Sequence, residues 1–437
     1  MVTIASALLL LGLPLATAQP AWPAALAAGA SALVFSRLPA PASALLVLVP
    51  FAALANLDAW IDPGAAYPSV AILLAAVAVV ARRQPRAFRF RGGARIALAY
   101  GLCVGVAALA AIWTDRGAGP WGAGARLLQN GFLAATLAAL GSNLAARTAG
   151  SAARWSWAAA LASGLLGALA LGEAALDWSG GVPPIGRPVG GSELLALHVT
   201  LLSPPALALV AARSSALSGA RRRLLALLGV LAASGLVLSF SRSGWVGAWA
   251  AILGMGVIAI KVDRHAARRL IGLALVLAAG GALAGLVLGG GTSPLATAYG
   301  DRLGSLMRLD LFADRRAEWA RGLAAVRAHP WCGDPAAPNP YNLALGVAAT
   351  SGLPALLCFG ALAIASISQG LRVAGRRDRE SLGAVGLLGA TIALLVTGIG
   401  ESTLGARLTP PAFATLGLLL GLGATAHGVD RKARDTR

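Results

Sequence analysis

The chain has 437 residues, 57% of them hydrophobic and 12% charged, with 36 Lys and Arg against 17 Asp and Glu. Soluble domains carry about 25% charged residues, so a soluble fold is excluded, and so is disorder, which needs low hydrophobicity and high charge density. Three cysteines, Cys103, Cys332 and Cys358, are too few for a disulfide framework or a Cys-rich zinc module.

Apolar stretches fall at 2–18, 21–36, 42–60, 65–81, 94–113, 127–146, 153–176, 193–212, 222–240, 243–261, 270–291, 343–368, 381–400 and 409–427. Each is long enough, or nearly so, to cross a bilayer as a helix. The pattern predicts an all-α integral membrane protein with 12–14 transmembrane helices. For the first stretch a cleaved signal peptide competes, although no basic residue precedes its apolar core. Three divisions follow: an N-terminal bundle over 1–176, a core over 177–368, and C-terminal helices with a tail over 369–437.

The net charge of +19 sits in short clusters between the apolar runs, almost all of it arginine. Such clusters are topology signals rather than a nucleic-acid surface. Connections after the even-numbered stretches hold Arg37, the six arginines from Arg82 to Arg95, Arg147 and Arg154, Arg213 and Arg221 to Arg223, Lys261 to Arg269, Arg372 to Arg379, and Arg431 to Arg437. These make 25 of the 36 basic residues. Cytoplasmic loops carry the Lys and Arg excess, which predicts a multi-pass membrane protein with both termini cytoplasmic.

The other 11 basic residues are predicted outside, where topology gives no reason for them. In chain order, Asp177–Glu193 comes first, a Gly- and Pro-rich segment carrying Arg187. Its backbone N–H groups are suited to an anion, and a plain flexible loop is the competing reading. Next, Ser239–Gly244 (SFSRSG) is a tight turn between two spans that holds Arg242 at the outer surface. Two readings stand there: an arginine snorkelling to lipid headgroups, or an anion-binding group on a rigid hairpin. Third is the long connection 292–342, with Arg302, Arg308, Arg315, Arg316, Arg321 and Arg327. Within it, Trp319, Leu323 and Val326 recur at i, i+4 and i+7, predicting an amphipathic helix on the outer surface with Asp314 as N-cap. Arg315 falls one turn before Trp319 and faces inward, whereas Arg316 and Arg327 face water. The Pro-rich His329–Asn342 then returns the chain to the next span, bringing Asn339, Tyr341 and Asn342 to its start. Several outer arginines suit a membrane-borne anion such as a lipid-linked diphosphate, because guanidinium pairs bidentately with phosphate. Transport suits them less well, since they lie outside the spans and not midway through them.

The order of four pieces resembles the O-antigen ligase and O-antigen polymerase family. They are GRPVGGSELLALHV from Gly186, the SRSGW turn Ser241–Trp245, Arg315 followed by Trp319, and HPWCG at His329–Gly333 with GLPALL at Gly352–Leu357. The resemblance covers 180–360. It implies a metal- and cofactor-free inverting glycosyltransferase of the bacterial inner membrane with a periplasmic active site. The donor would be a polyprenyl-diphosphate-linked glycan, and the acceptor the lipid A core oligosaccharide or a growing glycan. Carried over position by position, Arg242 and Arg315 contact the diphosphate, with Arg316 and Arg187 nearby. The family's His-Asn pair, whose His is the expected base, reads Tyr341 and Asn342 here. A phenol is a poor base at neutral pH, although clustered arginines lower such a group's pKa. The base is therefore open among Tyr341, His198, Glu318 and Asp334, while His265 and His427 are predicted cytoplasmic and His329 belongs to the His-Pro turn.

Overall fold

The computed structural model describes residues 22–51, 68–114, 121–148, 150–176, 192–211, 218–273, 315–335, 340–376, 380–400 and 409–435, together with 275, 304 and 337. The predicted span 2–18 lies outside the described residues, as do most of 270–291 and part of 42–60.

Among the described residues every regular element is helical, and the chain is an all-α membrane protein. The helices are α1 Trp22–Arg37, α2 Pro41–Leu48, α3 Pro68–Arg83, α4 Ala94–Thr114, α5 Trp121–Arg147, α6 Ser151–Leu176 and α7 Ser192–Ala211. There follow α8 Gly219–Leu238, α9 Arg242–Val262, α10 Arg316–Ala328, α11 Leu343–Ala374, α12 Ser381–Gly400 and α13 Thr409–Asp435. Six of these, α4, α6, α7, α9, α11 and α12, contain windows long and apolar enough to cross a membrane. Helices are the form such apolar runs take because lipid offers no partner to a backbone N–H or C=O.

Helix α4 shows the consequence on its surface. Leu102, Val106, Leu109 and Trp113 repeat at helical spacing and stay exposed, Trp113 to 90%. A stripe of that size is a lipid-facing surface. Inward, Tyr100 stacks on Phe413 at 5.1 Å between ring centroids, and Phe359 tilts against both, joining α4, α11 and α13. Small residues let backbones approach: a Cβ on Gly141 would lie 2.6 Å from the Ala414 carbonyl oxygen, and Gly417 and Gly421 meet the carbonyls of Ala138 and Ser142. Helices α5 and α13 therefore pack backbone to backbone, the usual solution where no hydrophobic drive separates helix from lipid. Helices α4, α5, α11 and α13 thus share one core.

The two ends of the bundle differ in charge. At one end the Arg83 guanidinium donates from Nη1 to the carbonyls of Ser36 (2.7 Å) and Leu38 (2.8 Å), and Arg269 Nη1 to that of Ala211 (3.3 Å). These contacts satisfy carbonyls orphaned at the C-termini of α1 and α7 and complement the helix dipoles there. At the other end α7, α9 and α11 begin and α8 and α12 finish.

Helix α11 is two helices. Gly352 breaks it with φ 84 and ψ 168. The break receives the His329–Gly333 turn: Leu353 N donates to the Pro330 carbonyl (2.8 Å) and Asp334 N to that of Ala349 (2.6 Å). Gly333, at φ +64, and Gly352 each lie against the other's stretch of backbone; a Cβ on Gly352 would strike the Trp331 carbonyl, and one on Gly333 the Thr350–Ser351 backbone. The HPWCG and GLPALL motifs are thus two halves of one joint.

Candidate functional site

The Ser239–Gly244 hairpin is locked by its own hydroxyls. Phe240 adopts a left-handed φ of 52, and Ser241 N donates to Ser239 Oγ (3.3 Å). Ser241 caps α9, its Oγ accepting from Gly244 N at 3.2 Å, and Trp245 Nε1 donates to the Leu236 carbonyl at 2.8 Å. Arg242 is thereby fixed as the first residue of α9. Gly244 lets this turn press on α7, where a Cβ would lie 2.7 Å from Ala196 Cβ.

One turn earlier on α7, Glu193 reaches the long connection. Its Oε1 lies 3.1 Å from Arg315 Nη2, with the two side chains 46% and 21% exposed. The Arg315 guanidinium carbon sits 3.9 Å from the centroid of the Tyr341 ring. Tyr341 holds a left-handed φ of 46, uncommon for a non-glycine residue. Asn342 caps α11: Oδ1 accepts from Leu345 N (2.9 Å), while Nδ2 donates to the Ile399 carbonyl at the end of α12 (3.1 Å). The buried Gly322 brings α10 onto the same place, since a Cβ there would lie 2.7 Å from Pro340 Cβ. Arg242, Glu193, Arg315, Tyr341 and Asn342 therefore gather at one end of the bundle. The N-termini of α7, α9 and α11 meet there, each carrying about half a positive charge.

The inward face of α10 differs from the expected stripe. Leu323 is 47% exposed, and the contact runs through Arg315, Glu318, Trp319, Gly322 and Val326. The offset has a cause: the helix docks on protein through a glycine rather than on lipid through leucine. Arg315, not Asp314, occupies the N-cap position, Asp314 lying outside the described residues. Arg316 and Arg327 are exposed, as expected. Arg187 and Asn339 lie outside the described residues.

The base candidates separate. His198 is fully buried, its Nδ1 2.7 Å from the carbonyl of Leu194 in its own helix. Asp334 belongs to the joint with α11, two turns into that helix. Glu318 Oε1 accepts from Arg321 Nη2 at 3.4 Å, and its Oε2 is sealed from solvent. Glu193 escaped the sequence reading. Its signal was an acidic residue in the first turn of a span that follows a Gly- and Pro-rich segment. The three cysteines are free thiols, and among the described residues no three His, Cys, Asp or Glu side chains gather to hold a metal ion. Compared with known proteins, the sequence matches no family model and no curated protein.

Proposed function

We propose that this protein is a membrane glycosyltransferase that takes a glycan from a polyprenyl-diphosphate carrier and joins it to an acceptor hydroxyl at the membrane surface. The acceptor is the lipid A core oligosaccharide, and the active end faces the periplasm. One observation carries the reading: Arg315, ion-paired to Glu193 and lying over the Tyr341 ring, bridges the starts of α7 and α11, and the Arg242 turn packs on α7 one turn further along. A lipid-linked diphosphate brings its anion to this depth and leaves its tail among the spans.

The reaction asks for this kind of site. The acceptor oxygen attacks the anomeric carbon, the carbon–oxygen bond to phosphate breaks, and the diphosphate leaves with the electron pair. Negative charge grows on the leaving oxygens, so fixed cations aimed at them lower the barrier. Attack opposite the leaving group inverts the anomeric centre. Arg316, exposed at the start of α10, extends the positive field for a diphosphate approaching from outside. Asn342 holds α11 against α12 beside Tyr341.

The test is expression in a bacterial host that lacks its own ligase, followed by electrophoresis of extracted lipopolysaccharide. The expected result is glycan on the lipid A core, lost in Arg242→Ala and Arg315→Ala at unchanged protein level. Absence of transfer by the wild-type chain, with a known ligase working in the same host, overturns the assignment to this acceptor. Longer carrier-linked glycan in that case marks a polymerase.

A further inference from the structure

We infer that Glu193 is the general base of the proposed transfer, supplying the proton acceptor that this chain lacks at Tyr341. The inference rests on the glycosyl-transfer reading above. It is carried by the carboxylate's place: Glu193 Oε1 lies 3.1 Å from Arg315 Nη2, is 46% exposed, and opens α7 one turn before the residue that meets the Arg242 turn.

A guanidinium offers five N–H donors in a rigid planar fork. Stacking on Tyr341 fixes the plane of that fork. An anion on one edge and an anion on another are then held apart by the width of the group itself. Inverting glycoside hydrolysis likewise keeps its base away from the leaving-group side, so that the nucleophile fits between base and sugar. Arg315 thus spans from Glu193 to the donor diphosphate, and the anomeric carbon lies between base and leaving group. When the acceptor oxygen forms its bond to the anomeric carbon, its proton passes to the Glu193 carboxylate. The diphosphate departs with the electrons of the broken bond, and the carboxyl group later gives its proton to water, which the exposure of Glu193 permits.

The other acidic and basic groups serve this step less well. Glu318 keeps its second oxygen sealed from solvent, Asp334 lies in the α11 joint, and the His198 ring is buried against its own helix. Glu193 is both accessible and in contact with the arginine of the leaving group.

The experiment uses the full-length protein in proteoliposomes with polyprenyl-diphosphate-linked oligosaccharide as donor and lipid A core as acceptor. Glu193→Gln keeps an oxygen for Arg315 and removes the proton acceptor. The expected result is a fall in kcat of about 10²–10⁴-fold with the donor KM changed by no more than about threefold. Azide, an anionic nucleophile that needs no deprotonation, gives the second readout: Glu193→Gln retains wild-type release of polyprenyl diphosphate to azide. Transfer to the hydroxyl acceptor by Glu193→Gln at the wild-type rate overturns the inference. Loss of the azide reaction along with transfer also overturns it, since the residue then only holds the site together. A wild-type protein that releases no diphosphate overturns the glycosyl-transfer reading itself, a result distinct from either.

Discussion

At the residue scale, Arg315 makes two contacts that a lysine cannot reproduce together. Its planar guanidinium lies over the Tyr341 ring at 3.9 Å while Nη2 meets Glu193 at 3.1 Å. The Glu193 pair is partly exposed, so for stability it is worth no more than about 1 kcal/mol, and the stacking contributes about 0.5–2 kcal/mol. The value of the arrangement is orientation. Arg315→Lys keeps the charge and loses the fork and the stack, so transfer is expected to fall about 10- to 100-fold, the equivalent of about 1.4–3 kcal/mol of transition-state binding. Arg315→Ala is expected to fall further. Steady-state assays on the purified protein check the order, and a lysine variant at the wild-type rate would remove the case for bidentate phosphate recognition. Asn342 makes a different prediction. Its Oδ1 caps α11 and its Nδ2 ties that cap to Ile399. Asn342→Asp keeps the cap and loses the tie, whereas Asn342→Ala loses both. Thermal unfolding in detergent is expected to rank wild type above Asp above Ala, with the alanine variant about 1–2 kcal/mol less stable.

At the scale of elements, the joint between the His329–Gly333 turn and the break in α11 depends on two glycines with positive φ, Gly333 at +64 and Gly352 at +84. An alanine takes on strain of about 1–2 kcal/mol at Gly333 and of about 1–3 kcal/mol at Gly352, whose φ 84 and ψ 168 belong almost wholly to glycine, and in both places it drives a methyl group into facing backbone. Gly352→Ala and Gly333→Ala are each expected to lower the melting temperature and to loosen the turn, seen as faster proteolysis near Trp331, which is 75% exposed. Because both changes open the same joint, the double variant is expected to cost less than the sum of the singles. Additive costs would show that the two glycines act separately. This joint also marks how far the sequence could be read. The apolar runs announced the spans, and Pro-rich His329–Asn342 announced a return loop, because those signals are local. In GLPALL, Pro354 two residues past Gly352 is a local helix breaker, but nothing local reveals that the break admits the Pro330 carbonyl as acceptor for Leu353 N. The displaced face of α10 has the same origin, since its register is set by Gly322 meeting Pro340 and Leu345, a contact that leaves no trace in the spacing of Trp319, Leu323 and Val326.

For the whole molecule, the distribution of arginines and the meeting of helix ends make one argument. The clusters that predict the cytoplasmic face include Arg83 and Arg269, which complete the C-termini of α1 and α7 at one end. Arg242 and Arg315 were legible in the sequence as separate outer arginines and Glu193 was not singled out there, and the packing of α7, α9, α10 and α11 brings them to the other end. Assembly of the site therefore needs the full bundle, because its residues come from helices far apart in the chain. The same geometry ties the sidedness of one end to that of the other. If the basic end is cytoplasmic, as positive loop charge dictates, then exposed positions on α10 open to the periplasm. In a protein with Cys103, Cys332 and Cys358 replaced by serine, Ala320→Cys on the exposed face of α10 is expected to react with a membrane-impermeant maleimide in spheroplasts. Arg268→Cys is expected to react only after permeabilisation. The reverse pattern would place Arg242 and Arg315 on the cytoplasmic side, where a carrier-linked glycan awaiting periplasmic transfer does not reach them, and would take the proposed chemistry down with the topology.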